Sequence, residues 1–399
     1  MAAQSIQAGV RPSRLRVAGC LLLFVLLYCP LLLYYALTAP VFLDEGSALE
    51  HLRHSPADLR TREDYFFAID HPALFRWCNR AVLRLLNIPI GDVPAIDPRH
   101  ADDPQWHIAH GRIAPRRPVN ALRAVNALLL AGALVAIFFA TRLALGGRVW
   151  GFLVAAPLGL PPALGTYVGA YIQADPYLAF FIALALAVWL KQHLSPRPDR
   201  FAHIIVMGIL AGLAVSTKLN GGLVALAYVC YVAVRSKGLD IVWRPAAFLL
   251  VVFVTFVALN PVMQRGGLAL PFDVMRDILN LRRRIFAYHD ARFEKVPWEQ
   301  LVKFMFPYWY LLPLLGILVY HARREPWFLP VSLWAGFLML GTALTTRYTF
   351  ERYLMPLHFG LFTLVMLSAI TVSRRLYRGE IRFRDLLTTP RSTPSRKTP

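Results

Sequence analysis

Ten runs of apolar, almost uncharged residues punctuate this sequence. They lie near positions 17–38, 122–141, 149–169, 174–191, 202–217, 219–234, 245–263, 304–320, 326–345 and 353–373. A helix of about 20 apolar residues crosses the ~30 Å hydrocarbon core of a bilayer. Within that core every backbone N–H and C=O must be satisfied inside the segment, which favours helices. So many runs of this length leave an all-α polytopic membrane protein as the fold class, with about ten transmembrane helices. Composition agrees: 57% of the 399 residues are apolar, against about 45–50% in soluble domains. Arg11, Arg14 and Arg16 precede the first run as in a signal peptide, but the run continues from Val17 to Leu43 with no A-x-A site closing it. A signal-peptide apolar region has only about 7–15 residues, so this run is read as a retained first span.

The formal charge of +20 lies mostly between the apolar segments. There it sets topology and does not form a nucleic-acid surface. Alternate connections carry the basic residues: Arg142 with Arg148; Lys191 with Arg197 and Arg200; Arg235 with Lys237 and Arg244; Arg323 with Arg324; Arg374 with Arg375 and Arg378. The positive-inside rule puts these connections and both termini in the cytoplasm, consistent with an even number of spans. Of the cysteines Cys20, Cys29, Cys78 and Cys230, all but Cys78 sit in apolar runs, so no disulfide framework is expected. The absence of an N-x-[ST] sequon favours a bacterial host, and hence the inner membrane.

The remaining connections face outward. Two are long, 39–121 and 264–303, and three are tight turns around Asp175, Lys218 and Arg347–Arg352. Two loop segments have amphipathic helical spacing. In "ALFRWCNRAVLRLL" (73–86), Leu74, Trp77, Cys78, Ala81, Val82 and Leu85 oppose Arg76, Arg80 and Arg84. In "FDVMRDILNLRRRIF" (272–286), Phe272, Met275, Ile278, Leu279 and Phe286 oppose Arg276, Arg283 and Arg284. Such helices lie in the membrane interface. They either anchor to headgroups or roof a site at the bilayer surface, and the two roles are compatible.

Adjacent acids, Asp44 and Glu45, follow the first span in "APVFLDEGSALEHL". Ser47 and Glu50 have capping-box spacing, which predicts a helix from Ala48 with the acids just ahead of it. Partial positive charge there favours ionised carboxylates, able to act as a general base or cation ligand. A solvated acidic pair is the plainer alternative. Asp175, followed by Pro176, opens a span with only fifteen uncharged residues before Lys191. That length draws the carboxylate to the membrane edge, where it serves function or caps the helix. Lys218, Arg347 and Arg352 fall on outward turns, where they either snorkel or bind an anionic lipid headgroup.

In order and placement these pieces resemble the GT-C polytopic glycosyltransferases, specifically the protein O-mannosyltransferase and lipid A aminoarabinose transferase family. The likeness rests on "LDE" (43–45), "DHPALFRW" (70–77), "YIQADPYLAFF" (171–181), "GLAVSTKLNG" (212–221) and "ERYLMPL" (351–357), and extends over about 17–373. It implies an enzyme that takes a sugar from a polyprenyl-phosphate carrier and passes it, with inversion, to an acceptor hydroxyl at the outer face. By position, Asp44 matches the catalytic acid of the first loop, which would deprotonate the acceptor, and Glu45 would support it or help hold a cation. Asp175 matches the second acid. His71 matches the family's His-Pro pair, although the family's His-Pro-Pro reads His-Pro-Ala here. Lys218 and Arg352 match cationic positions near the lipid phosphate, and Arg347 and Tyr353 beside them are expected to bind substrate as well.

The expected organisation is a transmembrane domain over 1–373 and a basic cytoplasmic tail over 374–399, whose distal part is disordered. Larger relatives carry further spans and an outer C-terminal domain. Without them, a lipid, glycan or small acceptor is expected ahead of a protein. The partners are thus a polyprenyl-phosphate sugar, that acceptor and the bilayer. A divalent metal is possible: "QWHIAHGR" offers His107 and His110 near Asp102 and Asp103, but no tight third and fourth ligand. The competing class is a transporter or lipid-linked-sugar flippase, which would use such charges near the bilayer midplane and show repeat symmetry.

Overall fold

The computed structural model describes residues 73–91, 104–111, 113–159, 174–195, 201–260, 312–345 and 355–381, together with Ile172 and scattered positions in 19–52 and 273–283. Among the described residues the regular structure is helical. The helical positions of Tyr28–Thr38 (α1) come first, followed by helical Glu45, Ala48, Leu49 and Leu52. Then come α2 (Ala73–Leu85), α3 (Pro104–Ala109), α4 (Arg116–Leu145), α5 (Arg148–Gly159), α6 (Asp175–His193) and α7 (Phe201–Thr217). A short 3-10 turn (Leu219–Gly221) leads into α8 (Gly222–Arg235), and α9 (Asp240–Leu259), α10 (Leu312–Ala322), α11 (Phe328–Thr345) and α12 (Met355–Tyr377) complete the order. Every apolar run picked out in the sequence contains helical residues. Four helices, Arg116–Leu145, Asp175–His193, Asp240–Leu259 and Phe359–Tyr377, are long and apolar enough to cross a membrane by length and composition.

The bundle is assembled through α4, which packs on α5 and α6. From there α6 packs on α7, α7 on α9, α8 on α9 and α11, and α12 on α10 and α11. Trp189, Trp334, Phe138, Tyr228 and Phe248 are fully buried at the centre, and the Trp334 indole N–H donates to the Ile182 carbonyl at 3.1 Å. The α7–α9 contact depends on small residues. A Cβ on Gly212 would lie 2.6 Å from Thr255 Cβ and 3.0 Å from the Val252 carbonyl oxygen, and one on Gly208 would lie 2.7 Å from Val251 Cβ. Glycines four apart let two backbones approach closely, as in membrane-helix pairs.

The five basic connections meet at one end of this bundle. Arg374 donates to the Leu145 carbonyl at 2.8 Å. Arg375 donates to the His321 carbonyl at 3.0 Å and pairs with Glu325 at 2.7 Å. His193 bridges the Tyr231 hydroxyl and the Pro326 carbonyl, both at 2.7 Å. Side chains and carbonyls from alternate loops therefore bond to one another, as they must if those loops share a membrane face.

Gly212→Leu should separate α7 from α9 and cost about 1–3 kcal/mol by overpacking. Gly316, which has open space around it, supplies the control. Thermal unfolding in detergent should show a clear drop for Gly212→Leu and little change for Gly316→Ala.

Candidate functional site

At the opposite end, charged side chains are buried in pairs. Glu45 and Arg123 have fully buried side chains and form a two-pronged pair: Arg123 Nε donates to Oε1 at 2.7 Å and Nη2 to Oε2 at 2.6 Å. Arg123 Nη1 also donates to the Ala36 carbonyl at 3.1 Å, and the Ile172 N–H donates to Glu45 Oε1 at 3.2 Å. One ion pair thus ties α1, the segment after it, α4 and the approach to α6. Parallel bonding of a guanidinium to a carboxylate satisfies charge and geometry together, which burial requires.

Close by along the chain from Ile172, Asp175 opens α6 with Pro176 in the first turn. The fixed φ of proline and its missing N–H suit that position. Asp175 is buried, and the Lys218 ammonium donates to its Oδ1 at 2.7 Å, with Lys218 about one-fifth exposed. Lys218 is presented by a tight turn: its N–H reaches the Ala214 carbonyl at 3.2 Å and the Gly221 N–H reaches the Lys218 carbonyl at 2.8 Å. A Cβ on Gly221 would overlap the Ala214 carbonyl, so only glycine allows this turn at its present closeness.

Asparagines join the remaining pieces. Asn260, at the end of α9, accepts from the Ala73 N–H at 2.7 Å and donates to the Phe256 carbonyl at 2.6 Å and Ser216 Oγ at 3.3 Å. It therefore caps α2 while holding the strand of residues that leads to Lys218. On α2, Asn79 accepts from the Tyr177 hydroxyl at 2.7 Å, and Phe75 meets the Tyr177 ring edge-on at 5.6 Å. A separate apolar core of Leu49, Leu52, Phe75, Leu83, Leu122 and Ile172 underlies this end.

Three expectations from the sequence change. Glu45, expected just ahead of a helix start, is itself helical, and its carboxylate is held by Arg123. The arginine row of α2 does not all face outward. Arg76 is buried alongside Phe75, Asn79 and Leu83, while Trp77, Ala81 and Leu85 are exposed. The polar bonds that α2 makes to Tyr177 and Asn260 turn that face onto the bundle, so α2 covers this end. The pair of histidines separates as well: His107 is buried, whereas His110 is exposed and stacks on Trp106 at 4.0 Å. Among the described residues no three His, Cys, Asp or Glu side chains converge, so no described ligand set fits the divalent metal considered above. Cys78, Cys29 and Cys230 are free thiols, and burial raises the Cys78 thiol above its ordinary pKa.

Of the site residues expected from sequence, Glu45, Asp175 and Lys218 lie at this one end. Asp44, His71, Arg347, Arg352 and Tyr353 fall outside the described residues. Arg123, Asn79, Tyr177 and Asn260 were not singled out. A signal for Arg123 existed: an arginine inside "ALRAVNALLL" must find a carboxylate partner if it is to be buried. The asparagine contacts had no such signal.

A family model described as dolichyl-phosphate-mannose-protein mannosyltransferase matches residues 103–263. That stretch holds Arg123, Asp175, Lys218 and Asn260. No curated protein matches the full sequence. Among solved structures, ArnT from Cupriavidus metallidurans bound to undecaprenyl phosphate aligns at 17% identity with a TM-score of 0.54, covering 91% of this chain and 62% of that one. The archaeal oligosaccharyltransferase AglB from Archaeoglobus fulgidus, in complex with an inhibitory peptide and a dolichol-phosphate, aligns at 12% identity with a TM-score of 0.51, covering 91% and 51%. An Archaeoglobus fulgidus oligosaccharyltransferase tethered with an acceptor peptide aligns at 11% identity with a TM-score of 0.53, covering 95% and 52%. The chain thus spans less than two thirds of the length of these neighbours. The likeness shows the fold: a polytopic, α-helical membrane protein of GT-C architecture.

Removing one partner of a buried pair leaves an uncompensated charge, at a cost of about 3–5 kcal/mol. Arg123→Met should therefore lower the thermal midpoint in detergent sharply. Adding Glu45→Leu should recover much of the loss. Equal stability of Arg123→Met and the unsubstituted chain would remove the pair from its structural role.

Proposed function

We propose that this chain is an integral-membrane glycosyltransferase that moves a sugar from a polyprenyl-phosphate carrier to an acceptor hydroxyl at the outer face. The observation that carries the proposal is the Asp175–Lys218 pair, at the end of the bundle away from the basic loops and inside the stretch matched by the mannosyltransferase family model. The basic end is then cytoplasmic, both termini lie on that side, and the membrane is a bacterial inner membrane. Residues 1–373 act as one transmembrane domain, followed by the basic tail.

The chemistry follows from charge. Asp44, the covalent neighbour of clamped Glu45, takes the proton of the acceptor hydroxyl. The freed oxygen attacks the anomeric carbon from the face opposite the phosphate. The bond from that carbon to the phosphate oxygen breaks, and its electron pair leaves on the polyprenyl phosphate. Lys218, with Arg347 and Arg352, stabilises the charge that develops there, and such stabilisation is often the largest catalytic term. Asp175 holds Lys218 and positions the reacting sugar, while His71 and Tyr353 line the donor side. Glu45 acts through Arg123 as a positioning residue. A lipid or glycan acceptor fits a site roofed by α2 at the bilayer surface. No step runs through a metal.

Purified protein supplied with a panel of polyprenyl-phosphate sugars should bind one donor and slowly release free sugar from it. A general base contributes about 10²–10⁴ in rate, so Asp44→Asn should lose at least about a hundredfold in turnover with an unchanged thermal midpoint. Lys218→Gln should raise the KM for the donor more than it lowers kcat. Movement of intact donor across liposomes with no sugar released would replace this reading with a flippase.

A further inference from the structure

A groove of about 910 Å³ lies between α4 and α6 and ends at the Gly146–Gly147 turn, where Lys191 stands about 24 Å along α6 from Asp175. Its walls are apolar, formed by Val135, Phe139, Leu184 and Val188. Phe180 lies across its deep end against Gly132, where a Cβ would come within 2.9 Å of the ring. Its other end is cationic, lined by Arg142, Arg148 and Lys191.

Some cations at the basic end are neutralised by a carboxylate. Arg375 pairs with Glu325, and Arg244 pairs with Asp240. Arg142, Arg148 and Lys191 have no carboxylate partner among the described residues. Three positive groups gathered at one mouth without a counter-charge repel one another and favour an anion. A free anion would gain nothing from the apolar wall, and a hydrocarbon nothing from the cations. The ligand that uses both is an amphiphile with an anionic head.

Length narrows the class further. From Gly132 to Arg142 α4 rises about 15 Å, which is about half of the ~30 Å hydrocarbon core, or the depth of one leaflet. We propose that the groove holds an acidic phospholipid of the leaflet at the basic end. Its phosphate sits among Arg142, Arg148 and Lys191, and one acyl chain runs along Val135, Phe139, Leu184 and Val188. Basic pockets between transmembrane helices suit such headgroups, and each Arg or Lys near the surface adds to the attraction. The binding step is non-covalent and independent of sugar transfer.

The test is native mass spectrometry of the detergent-purified chain titrated with phosphatidylglycerol or phosphatidylcholine. The unsubstituted chain should retain phosphatidylglycerol on the order of tenfold more strongly than phosphatidylcholine, a preference that three cations support. Combined Arg142→Gln, Arg148→Gln and Lys191→Gln should bring the ratio near one, whereas Arg235→Gln with Lys237→Gln, at another basic turn, should leave it unchanged. Lys191→Gln alone, at an exposed position, should lower the ratio partway and keeps the test open if the triple variant does not fold. Inorganic phosphate in excess should not displace the lipid. Equal retention of both lipids, full displacement by inorganic phosphate, or an unaltered ratio in the Lys191→Gln and triple variants would overturn the proposal.

Discussion

Two opposite charges buried completely inside a membrane protein impose a demand on everything around them. Glu45 and Arg123 can stay ionised there only if each prong finds its partner and the leftover polar atoms are satisfied nearby. The Ala36 carbonyl and the Ile172 N–H meet that requirement. As a result, four stretches of chain, from α1 to the approach to α6, are fixed by one pair of side chains. Asp44 is bonded to one member of the pair, and Asp175 follows soon after the segment that donates to it. A buried two-pronged ion pair is a stiff way to hold the residues that flank it.

The bundle is electrostatically asymmetric from end to end. At one end, arginines bond to carbonyls and to Glu325, tying alternate loops together. At the other, carboxylates are buried and matched one to one by Arg123 and Lys218. Basic loops resist translocation across a membrane, so an asymmetry of this kind is one that sequence charge alone can impose on the two ends. The proposed phospholipid groove uses the same asymmetry at the basic end, where three cations have no carboxylate partner among the described residues.

Much of the architecture was legible in the sequence because one solvent imposes one rule. Apolar runs must be helices in lipid, and charge must sit at their ends. Asp175 and Lys218 were readable for this reason, since each interrupts apolar sequence at a predicted turn. The amphipathic helix at Ala73–Leu85 was also legible as a helix, but its orientation was not. The spacing set Arg76 opposite the apolar face, yet Arg76 is buried, and the hydrogen bonds of Asn79 and Asn260 fix which face meets the bundle.

The sequence by itself determined the class of fold, the end-to-end polarity and the identity of the charged residues at the membrane edge, because lipid solvation acts on each segment separately. Only the tertiary structure decided which charges meet: Glu45 with Arg123 across 78 positions and Lys218 with Asp175 across 43. Pairings of that kind depend on helix packing, set here by contacts as specific as Gly212 on Val252 and Gly221 on Ala214. Such contacts leave no periodic mark in a single chain, since any of several cations could have answered each carboxylate until close packing brought one of them within reach.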